Sequence, residues 1–397
     1  MQVITMLGTG KYDSATYSWN GRVFTTRLFP VALVEWLKPS DIHILLTQKA
    51  KENDHWKNLQ EELNGKVTVH PMDIPDGATE KELWEIFDSM ARITTGNPNE
   101  EFTLDITHGF RSLPVLTLLS AAFLRSAGRV RLSHILYGAY QAQDSETGTS
   151  PVFDLTPFLE LLDWSAAAER FNDTGDSLKI ANLLNDKHRQ FYVNSSQMKG
   201  ESKPVGFQRI GKTMENLSRA LSLTLPREVL PEARFLLDKL DAAKEETRFA
   251  PPFGVVFDNI KRGYQSIALD TAHAKMKEIL SGEWRLVQWY QERRQWAPMI
   301  TLAREWIVSV VCYCNGLQIY DMDSRRRSED CLNKASSCDL RVPEKAGKAW
   351  DEVAQFRNQI SHCGMQRQKI PAKKLQTNIE RTMESLVALA KENGMDG

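Results

Sequence analysis

The chain has 397 residues, of which 42% are hydrophobic and 25% are charged, and its formal net charge is −1 at pH 7. This length is typical of two or three domains, and this composition is typical of an ordinary soluble protein. The small net charge excludes a basic field over the whole molecule, so a nucleic-acid partner would need a local patch. We expect a cytoplasmic protein without a membrane span or signal peptide, because no long apolar run and no basic, cleavable amino terminus is evident.

The first half of the sequence alternates between short apolar strands and helical patterns. A hairpin is predicted at residues 17–24, where Asn20-Gly21 suits a two-residue turn. The alternation predicts a Rossmann-like α/β domain, a parallel sheet with helices on both faces, over residues 1–158. The predicted strands are 2–7, 42–46, 66–70, 102–106, 130–139 and 152–154, and the predicted helices are 29–37, 49–63, 79–93 and 113–126.

The second half is predicted to be helical throughout. Residues 159–206 form a helical connector that ends in the polar stretch 195–206, and residues 207–397 form an all-helical domain. We place the three arginines Arg325, Arg326 and Arg327 in a solvated loop. The predicted helices are 207–221, 232–243, 256–280, 283–296, 299–317, 344–362 and 374–393.

The five cysteines all lie in the last quarter of the chain, at positions 312, 314, 331, 338 and 363. Their number is odd and no pair has the CxxC spacing, which favours reduced, mostly buried thiols. A zinc site is not expected, because no further ligand pair completes a set at the usual spacing.

Two loops should meet at the carboxyl edge of the predicted sheet, where such folds bind ligands. One is Gly8-Thr9-Gly10-Lys11, and the other runs from Asp105 to Arg111 through Thr107-His108-Gly109. Small residues, backbone amides and a cation suit an anionic ligand. Neither loop carries the full phosphate-binding or dinucleotide fingerprint, which disfavours ATP and NAD chemistry. The alternative is a tight turn at the glycines, a capping role for Asp105 and a hydrogen-bonded loop position for His108.

A second motif, Arg357-Asn358-Gln359-Ile360-Ser361-His362, ends a predicted helix and is followed by Gly364, a residue typical of helix ends. The helix dipole favours imidazolium at His362, and Arg357 supplies a permanent planar cation. Together they suit metal-free transphosphorylation of RNA, since the ribose 2′-hydroxyl is the nucleophile and the protein supplies proton transfer and charge stabilisation. Arg357 and His362 are rotated by roughly 140° on one helix, so two helices facing across a twofold axis would make a better site. The alternative is an exposed helix end with ordinary polar residues.

Four amino-terminal motifs occur in the order seen in CRISPR-associated CARF–HEPN ribonucleases of type III systems, and the chain resembles that family. They begin at Leu7, Asp105, Tyr137 and Asp154, and they read LGTGKY, DITHGFR, YGA and DLTPF. The resemblance covers about residues 1–175, and residues 357–362 are similar to the HEPN motif. Between residues 175 and 343 only the helical character agrees.

The resemblance implies an amino-terminal CARF sensor of cyclic oligoadenylate and a carboxyl-terminal HEPN ribonuclease formed by two protomers. It implies a homodimer or higher oligomer that cleaves single-stranded RNA and needs no cofactor. The first candidate for its cyclic oligoadenylate activator is cyclic tetra-adenylate. It assigns Arg357, Asn358 and His362 to the nuclease site. It assigns to the activator site Thr9, Gly10, Lys11, Thr107, His108, Gly109, Arg111 and Gly138.

Two other functions stay open at this point. One is a nucleotide sensor whose helical half binds a partner or DNA without chemistry, and the other is a nucleotide-metabolising enzyme. The motifs also leave open whether the sensor pocket cleaves its own activator, with His108 as the only evident general base.

Overall fold

The computed structural model describes residues 1–95, 100–109, 112–128, 130–193, 206–334, 336, 338–365 and 370–396. The chain divides into two compact units, Met1–Asp163 and Trp164–Gly397. The predicted polar stretch 195–206 lies outside the described residues except for Gly206.

The first unit is built on one eight-stranded sheet of order β3-β2-β8-β7-β6-β1-β4-β5. Strands β5, β4, β1, β6 and β7 run parallel to one another, and β8 returns antiparallel to β7. The sequence prediction of a parallel sheet, and of residues 152–154 pairing with β7, is therefore confirmed. The strands are β1 Gln2–Leu7, β2 Ala15–Trp19, β3 Arg22–Thr26, β4 Asp41–Leu46, β5 Thr68–Asp73, β6 Glu101–Asp105, β7 Arg131–Gly138 and β8 Thr149–Asp154.

Helices cover both faces of this sheet, as the alternating pattern predicted. Successive side chains of a strand point to opposite faces. Accordingly, Val3 and Leu7 of β1 join one buried cluster, whereas Ile4 and Met6 join the other. The first cluster packs against α1 and α3, and the second packs against α4 and α5. The helices are α1 Phe29–Leu37, α2 Gln48–Lys51, α3 Asp54–Leu63, α4 Glu80–Thr95 and α5 Ser112–Ser126.

The predicted hairpin is present and has an additional role. Asn20 and Gly21 both have positive φ angles, 50° and 75°, which is the geometry of a type I′ turn. Its first strand, β2, also pairs in parallel with β8 and so extends the sheet, which the sequence did not indicate.

One predicted helix of this unit is wrong. Residues 49–63 do not form one helix, because the chain breaks at Asn53, whose side chain accepts the His55 amide and caps α3. Asparagine competes for backbone groups in this way and favours caps over helix interiors. The break lets Thr47 cap the short helix α2 at the end of β4.

The second unit is helical among its described residues, and its helices share one buried core that includes Trp164, Trp284, Trp306 and Trp350. Gly175, with a φ of 70°, separates the first two helices. The helices are α6 Glu160–Thr174, α7 Leu178–Val193, α8 Gly206–Ser222, α9 Pro226–Ala242, α10 Pro251–Gln265, α11 Met276–Glu292, α12 Trp296–Cys314, α13 Met322–Leu332, α14 Glu344–Ser361 and α15 Ala372–Glu392.

Two further sequence predictions are wrong here. The predicted helix at 256–280 is divided, since α10 ends at Gln265 and α11 begins at Met276. The three arginines lie in helix α13 and not in a loop, because Asp321 accepts the Ser324 amide at 2.8 Å and starts that helix. One of them, Arg325, is engaged by Glu305.

The cysteine prediction is also wrong in part. Cys331 and Cys338 form a disulfide, whereas Cys312, Cys314 and Cys363 are free. The two partners are seven residues apart, and the turn that follows α13 brings their Cα atoms within 4.7 Å. Of the free thiols only Cys312 is buried.

Helix α12 is long and apolar enough to cross a membrane by length and composition, although no such run was expected from the sequence. Most of this stretch is buried inside the second unit. Trp306 and Ile307, for example, are fully buried in the helical core. Such burial is what the central helix of a folded domain shows.

Candidate functional site

The strand order of the first unit reverses between β1 and β6, which are neighbours in the sheet. In open parallel sheets a crevice forms at such a point, outside the carboxyl ends of the strands. A cleft of about 660 Å³ lies there. It is lined by loops that follow β1, β4, β5 and β6, namely Leu7–Gly10 with Tyr12, Thr47 with Lys49, Asp76–Ala78, and Thr107–Gly109 with Leu113.

Asp105, the last residue of β6, anchors the second loop from below. Its carboxylate is fully buried and accepts hydrogen bonds from the Thr5 hydroxyl at 2.6 Å and the Thr107 amide at 2.9 Å. Burial raises the pKa of Asp105 to about 6, and the bonds from Thr5 and Thr107 act in the opposite direction. The carboxylate therefore shapes the turn, as the capping alternative proposed, and does not face the cleft.

Thr107 ties this loop to the end of the neighbouring strand β7. Its hydroxyl accepts the Gly138 amide at 2.8 Å. A Cβ at Gly138 would lie 2.9 Å from Tyr17 and 3.0 Å from Phe29, so only glycine fits there. Gly138 is thus brought to the Thr107 loop as predicted, but it is buried beneath the cleft instead of lining it.

His108 has a structural role that its side-chain geometry defines. Its Nε2 accepts the Phe29 amide at 2.9 Å, so the imidazole supplies an acceptor at the first turn of α1. An accepting Nε2 requires the neutral tautomer with the proton on Nδ1. Burial lowers the pKa of His108 to about 4, and His55 adds to this lowering. The residue lines the cleft, but its accepting nitrogen is already occupied.

Tyr12 joins the two loops, and the sequence analysis did not single it out. Its hydroxyl accepts the Gly8 amide at 3.1 Å and donates to the carbonyl of His108 at 3.3 Å. Its ring lies between the imidazoles of His55 and His108, with centroid distances of 4.6 and 4.2 Å. Its place at the end of the LGTGKY stretch, four residues after Gly8, is a sequence signal for this role.

Two of the loop glycines are required by close packing. A Cβ at Gly8 would lie 2.7 Å from the carbonyl oxygen of His108, and one at Gly109 would lie 2.0 Å from the sulfur of Met6. Gly10 differs, because its nearest neighbour would be a Tyr12 ring carbon at 3.6 Å, an ordinary contact. Gly8 therefore allows the two loops to approach each other, and Gly109 allows its loop to pack against β1.

The predicted activator residues are not all at the cleft. Thr9, Gly10, Thr107, His108 and Gly109 line it. Lys11 does not line it; its side chain is 88% exposed and lies 3.5 Å from Asp13. Arg111 lies outside the described residues.

The prediction also missed a second wall of the cleft, formed by the loops after β4 and β5. Lys49 lies 3.2 Å from Asp76 there, and Gly77 has a φ of 75°. The position of these loops at the carboxyl ends of parallel strands is a signal that could have identified them.

The Arg357–His362 motif lies at the carboxyl end of α14, as predicted. His362 is the residue that caps the helix, and its amide donates to the carbonyl of Asn358 at 3.0 Å. Cys363 and Gly364 then have positive φ angles, and the Gly364 amide donates to the carbonyl of Gln359 at 2.9 Å. This closure fixes where the helix stops.

Within the motif, the side chains of Arg357 and Asn358 are joined. Nη1 of Arg357 donates to Oδ1 of Asn358 at 3.2 Å. Nε of Arg357 is buried and finds no acceptor within the described part of the chain. His362 is exposed, like Asn358, and among the described residues its imidazole makes no hydrogen bond. The single chain therefore pairs Arg357 with Asn358 and leaves His362 facing outward.

Comparison with known proteins gives matches for the first unit and for part of the second. Residues 2–140 match the family model of the CARF domain of the CRISPR system endoribonuclease Csx1. Residues 160–267 match the model of the second domain of the CRISPR-associated protein MJ1674. The chain is also 29% identical over 178 residues to CRISPR-associated protein MJ1674 of Methanocaldococcus jannaschii.

That alignment covers 45% of this chain and 25% of the relative, so the chain matches about a quarter of the length of the curated relative. The match of residues 2–140 coincides with the unit that carries the sheet and the cleft. The expected fold, a Rossmann-like CARF domain followed by a helical region, is confirmed. The chain is a CRISPR-associated protein that carries a CARF domain in its amino-terminal unit.

Proposed function

We propose that the protein is a cytoplasmic, metal-independent endoribonuclease that cyclic oligoadenylate activates and that cleaves single-stranded RNA in type III CRISPR antiviral defence. The observation that carries the proposal is the cleft of about 660 Å³ at the strand-order reversal of a domain that matches the Csx1 CARF family. The name of that family includes an endoribonuclease, which supports a nuclease for the chain.

The activator is proposed to bind where the loops after β1 and β6 meet. Thr9, Gly10 and Gly109 offer backbone and little side-chain bulk at this edge, which lets a phosphodiester approach. His108 acts through the neutral ring that holds α1, so we assign it to positioning and not to a charge contact. Cyclic tetra-adenylate is the first ring to test, and Arg111 and Lys11 are proposed as flanking cations.

The chemistry is proposed to use the ribose 2′-oxygen as nucleophile. It attacks the adjacent phosphorus, the bond from phosphorus to the 5′-oxygen breaks, and a 2′,3′-cyclic phosphate and a 5′-hydroxyl result. The 2′-hydroxyl gives its proton to a solvent base, and the leaving 5′-oxygen receives a proton from His362, which is proposed as the general acid. Arg357 would hold the phosphorane charge, and Asn358 would orient it through the 3.2 Å bond. These residues supply both functions that the reaction needs, which is why no metal is invoked.

The active centre is proposed to form between two copies of the chain. Arg357 and His362 are five positions apart on α14 and are rotated by roughly 140°. The exposed residues Asn358, Ser361 and His362 provide the face that would meet its mate. The apolar side chains of helix α12 are not available for this contact, since Trp306 and Ile307, for example, are fully buried within the unit.

Substitution of the motif tests this proposal. Arg357→Ala and His362→Ala should each reduce activated RNA cleavage by about 10²-fold or more, since each removes a group that acts on the transition state. Arg326→Ala is the matched control, because Arg326 is an exposed arginine on α13 of the same unit. End-group analysis of the wild-type products should find 2′,3′-cyclic phosphates. Full activity of either motif variant would contradict the assignment.

A further inference from the structure

A second cleft, of about 630 Å³, lies in the helical unit and takes no part in the proposed reaction. It lies where α9, α11, α12 and the segment before α13 meet. Its residues are Leu225–Glu228, Glu283, Leu302, Glu305, Ser309, Ile319, Tyr320 and Arg325. A volume in this range accommodates a mononucleotide-sized ligand.

Glu283 of α11 is the unusual group in this cleft. Its side chain is 5% exposed, yet within the described residues it makes no hydrogen bond and no ion pair. Leu302 and Ile319 beside it are buried and apolar. A buried carboxylate without partners is costly, so Glu283, which lines the cleft, has hydrogen-bonding capacity that a ligand can use.

The other polar groups near the floor of the cleft are already engaged. Arg325 donates to the Ser309 hydroxyl, to the carbonyl of Ile319 and to the carboxylate of Glu305. Burial raises the pKa of Glu283 to about 7, and Arg325 and Arg227 act in the opposite direction. The two guanidinium groups also disfavour a cationic guest, so the ligand must offer hydrogen-bond donors without a positive charge.

The rim supplies an aromatic ring and a cation. Tyr320 is 45% exposed, and the guanidinium of Arg227 lies 4.3 Å from the centre of its ring. A planar base can stack on such a ring, and an exposed arginine suits a phosphate. The rim and the floor together therefore fit a nucleotide.

We propose that this cleft binds a guanine base of single-stranded RNA, with Glu283 accepting the N1–H and the N2 amino group. Guanine presents these two donors side by side on a neutral edge, which matches the two oxygens of one carboxylate. Adenine and cytosine each offer one donor next to an acceptor, and uracil offers one donor between two acceptors. The cleft is a specificity site, and its assignment to RNA rests on the proposed ribonuclease.

The test is a binding comparison that needs neither activator nor cleavage. Calorimetry on the full chain should give saturable binding of guanosine 5′-monophosphate and affinity about tenfold or more weaker for inosine 5′-monophosphate, which lacks only the N2 amino group. In Glu283→Gln this discrimination should collapse, because an amide has one acceptor oxygen. Glu292→Gln, which changes an exposed carboxylate on the same helix α11 outside the cleft, should retain it.

A second arm assigns the base to RNA. A His362→Ala chain should bind a short RNA with a single guanosine more tightly than the same RNA with inosine. The proposal is overturned by equal affinity for the two mononucleotides, by tighter binding of adenosine monophosphate, by discrimination that persists in Glu283→Gln, or by an RNA arm without preference. Loss of RNA cleavage in the Arg357→Ala chain with intact guanine discrimination would show that the two sites are separate.

Discussion

Lowering the pH should weaken the first unit through His108, whose imidazole must stay neutral to accept the Phe29 amide. Burial, with a contribution from His55, lowers the pKa of His108 to about 4 from its ordinary value of 6.5. The unfolded chain therefore binds this proton first. The stabilisation is complete above about pH 6.5 and is lost as the pH falls toward 4.

The size of the effect follows from the two pKa values. Their difference corresponds to about 3 kcal/mol in full, of which about 2 kcal/mol is lost between about pH 7.5 and pH 5. Asp105 acts with the opposite sign, because burial raises its pKa to about 6 and protonation relieves the cost of its buried charge. A single pH profile would mix the two residues, so a variant is needed.

His108→Gln provides that comparison, since glutamine offers a neutral acceptor and does not titrate in this range. Hydrogen exchange of the α1 amides, corrected for intrinsic rates at each pH, should show the opening free energy of the wild type falling relative to the variant by about 2 kcal/mol between about pH 7.5 and pH 5. Parallel pH profiles for the two proteins would refute the role of His108 as the acceptor of the Phe29 amide. So would an NMR titration that gives His108 a pKa near its ordinary value.

Three other predictions concern the loops and the motif. Gly8→Ala should cost about 1–3 kcal/mol in unfolding free energy because its Cβ meets a carbonyl oxygen at 2.7 Å, whereas Gly10→Ala should be nearly neutral; equal melting shifts would contradict this. Thr107→Ala should leave the Gly138 amide without its acceptor, which should lower the unfolding free energy by about 1–3 kcal/mol and weaken activator binding in calorimetry. Thr107→Ser should restore both the stability and the binding. Mixing Arg357→Ala with His362→Ala protomers should restore cleavage, because one centre then holds both side chains if they come from opposite chains. A mixed dimer that stays inactive would exclude that arrangement.

Regular elements of the first unit were predictable because their patterns are local. The apolar strand β1 and the Asn20-Gly21 turn are encoded by neighbouring residues, and both were predicted. The break at Asn53 and the start of α13 at Asp321 were missed, although both are side-chain caps. At Asn53 the helical hydrophobic pattern continues across the cap, and a single polar residue did not outweigh it. At Asp321 the hydrophobic pattern is weak, and a single capping residue was not enough to predict a helix.

The site was predicted only as far as the strand ends. The loops after β1 and β6 were placed together correctly, since parallel strands share one edge. The bond from the Phe29 amide to His108 joins residues 79 positions apart, and the bond from Tyr12 to the His108 carbonyl joins residues 96 apart. No local pattern encodes such contacts. The same holds for Glu283, whose isolation depends on α9 and on the segment that contains Tyr320.

The central claim is an activator-dependent, metal-independent ribonuclease, and one assay tests it directly. Purified protein and a labelled single-stranded RNA are incubated with each cyclic oligoadenylate, with and without EDTA. We expect cleavage only when one of the rings is present, at the same rate with EDTA, and none with Arg357→Ala. Cleavage that EDTA abolishes, or the absence of cleavage with every ring, would contradict the account.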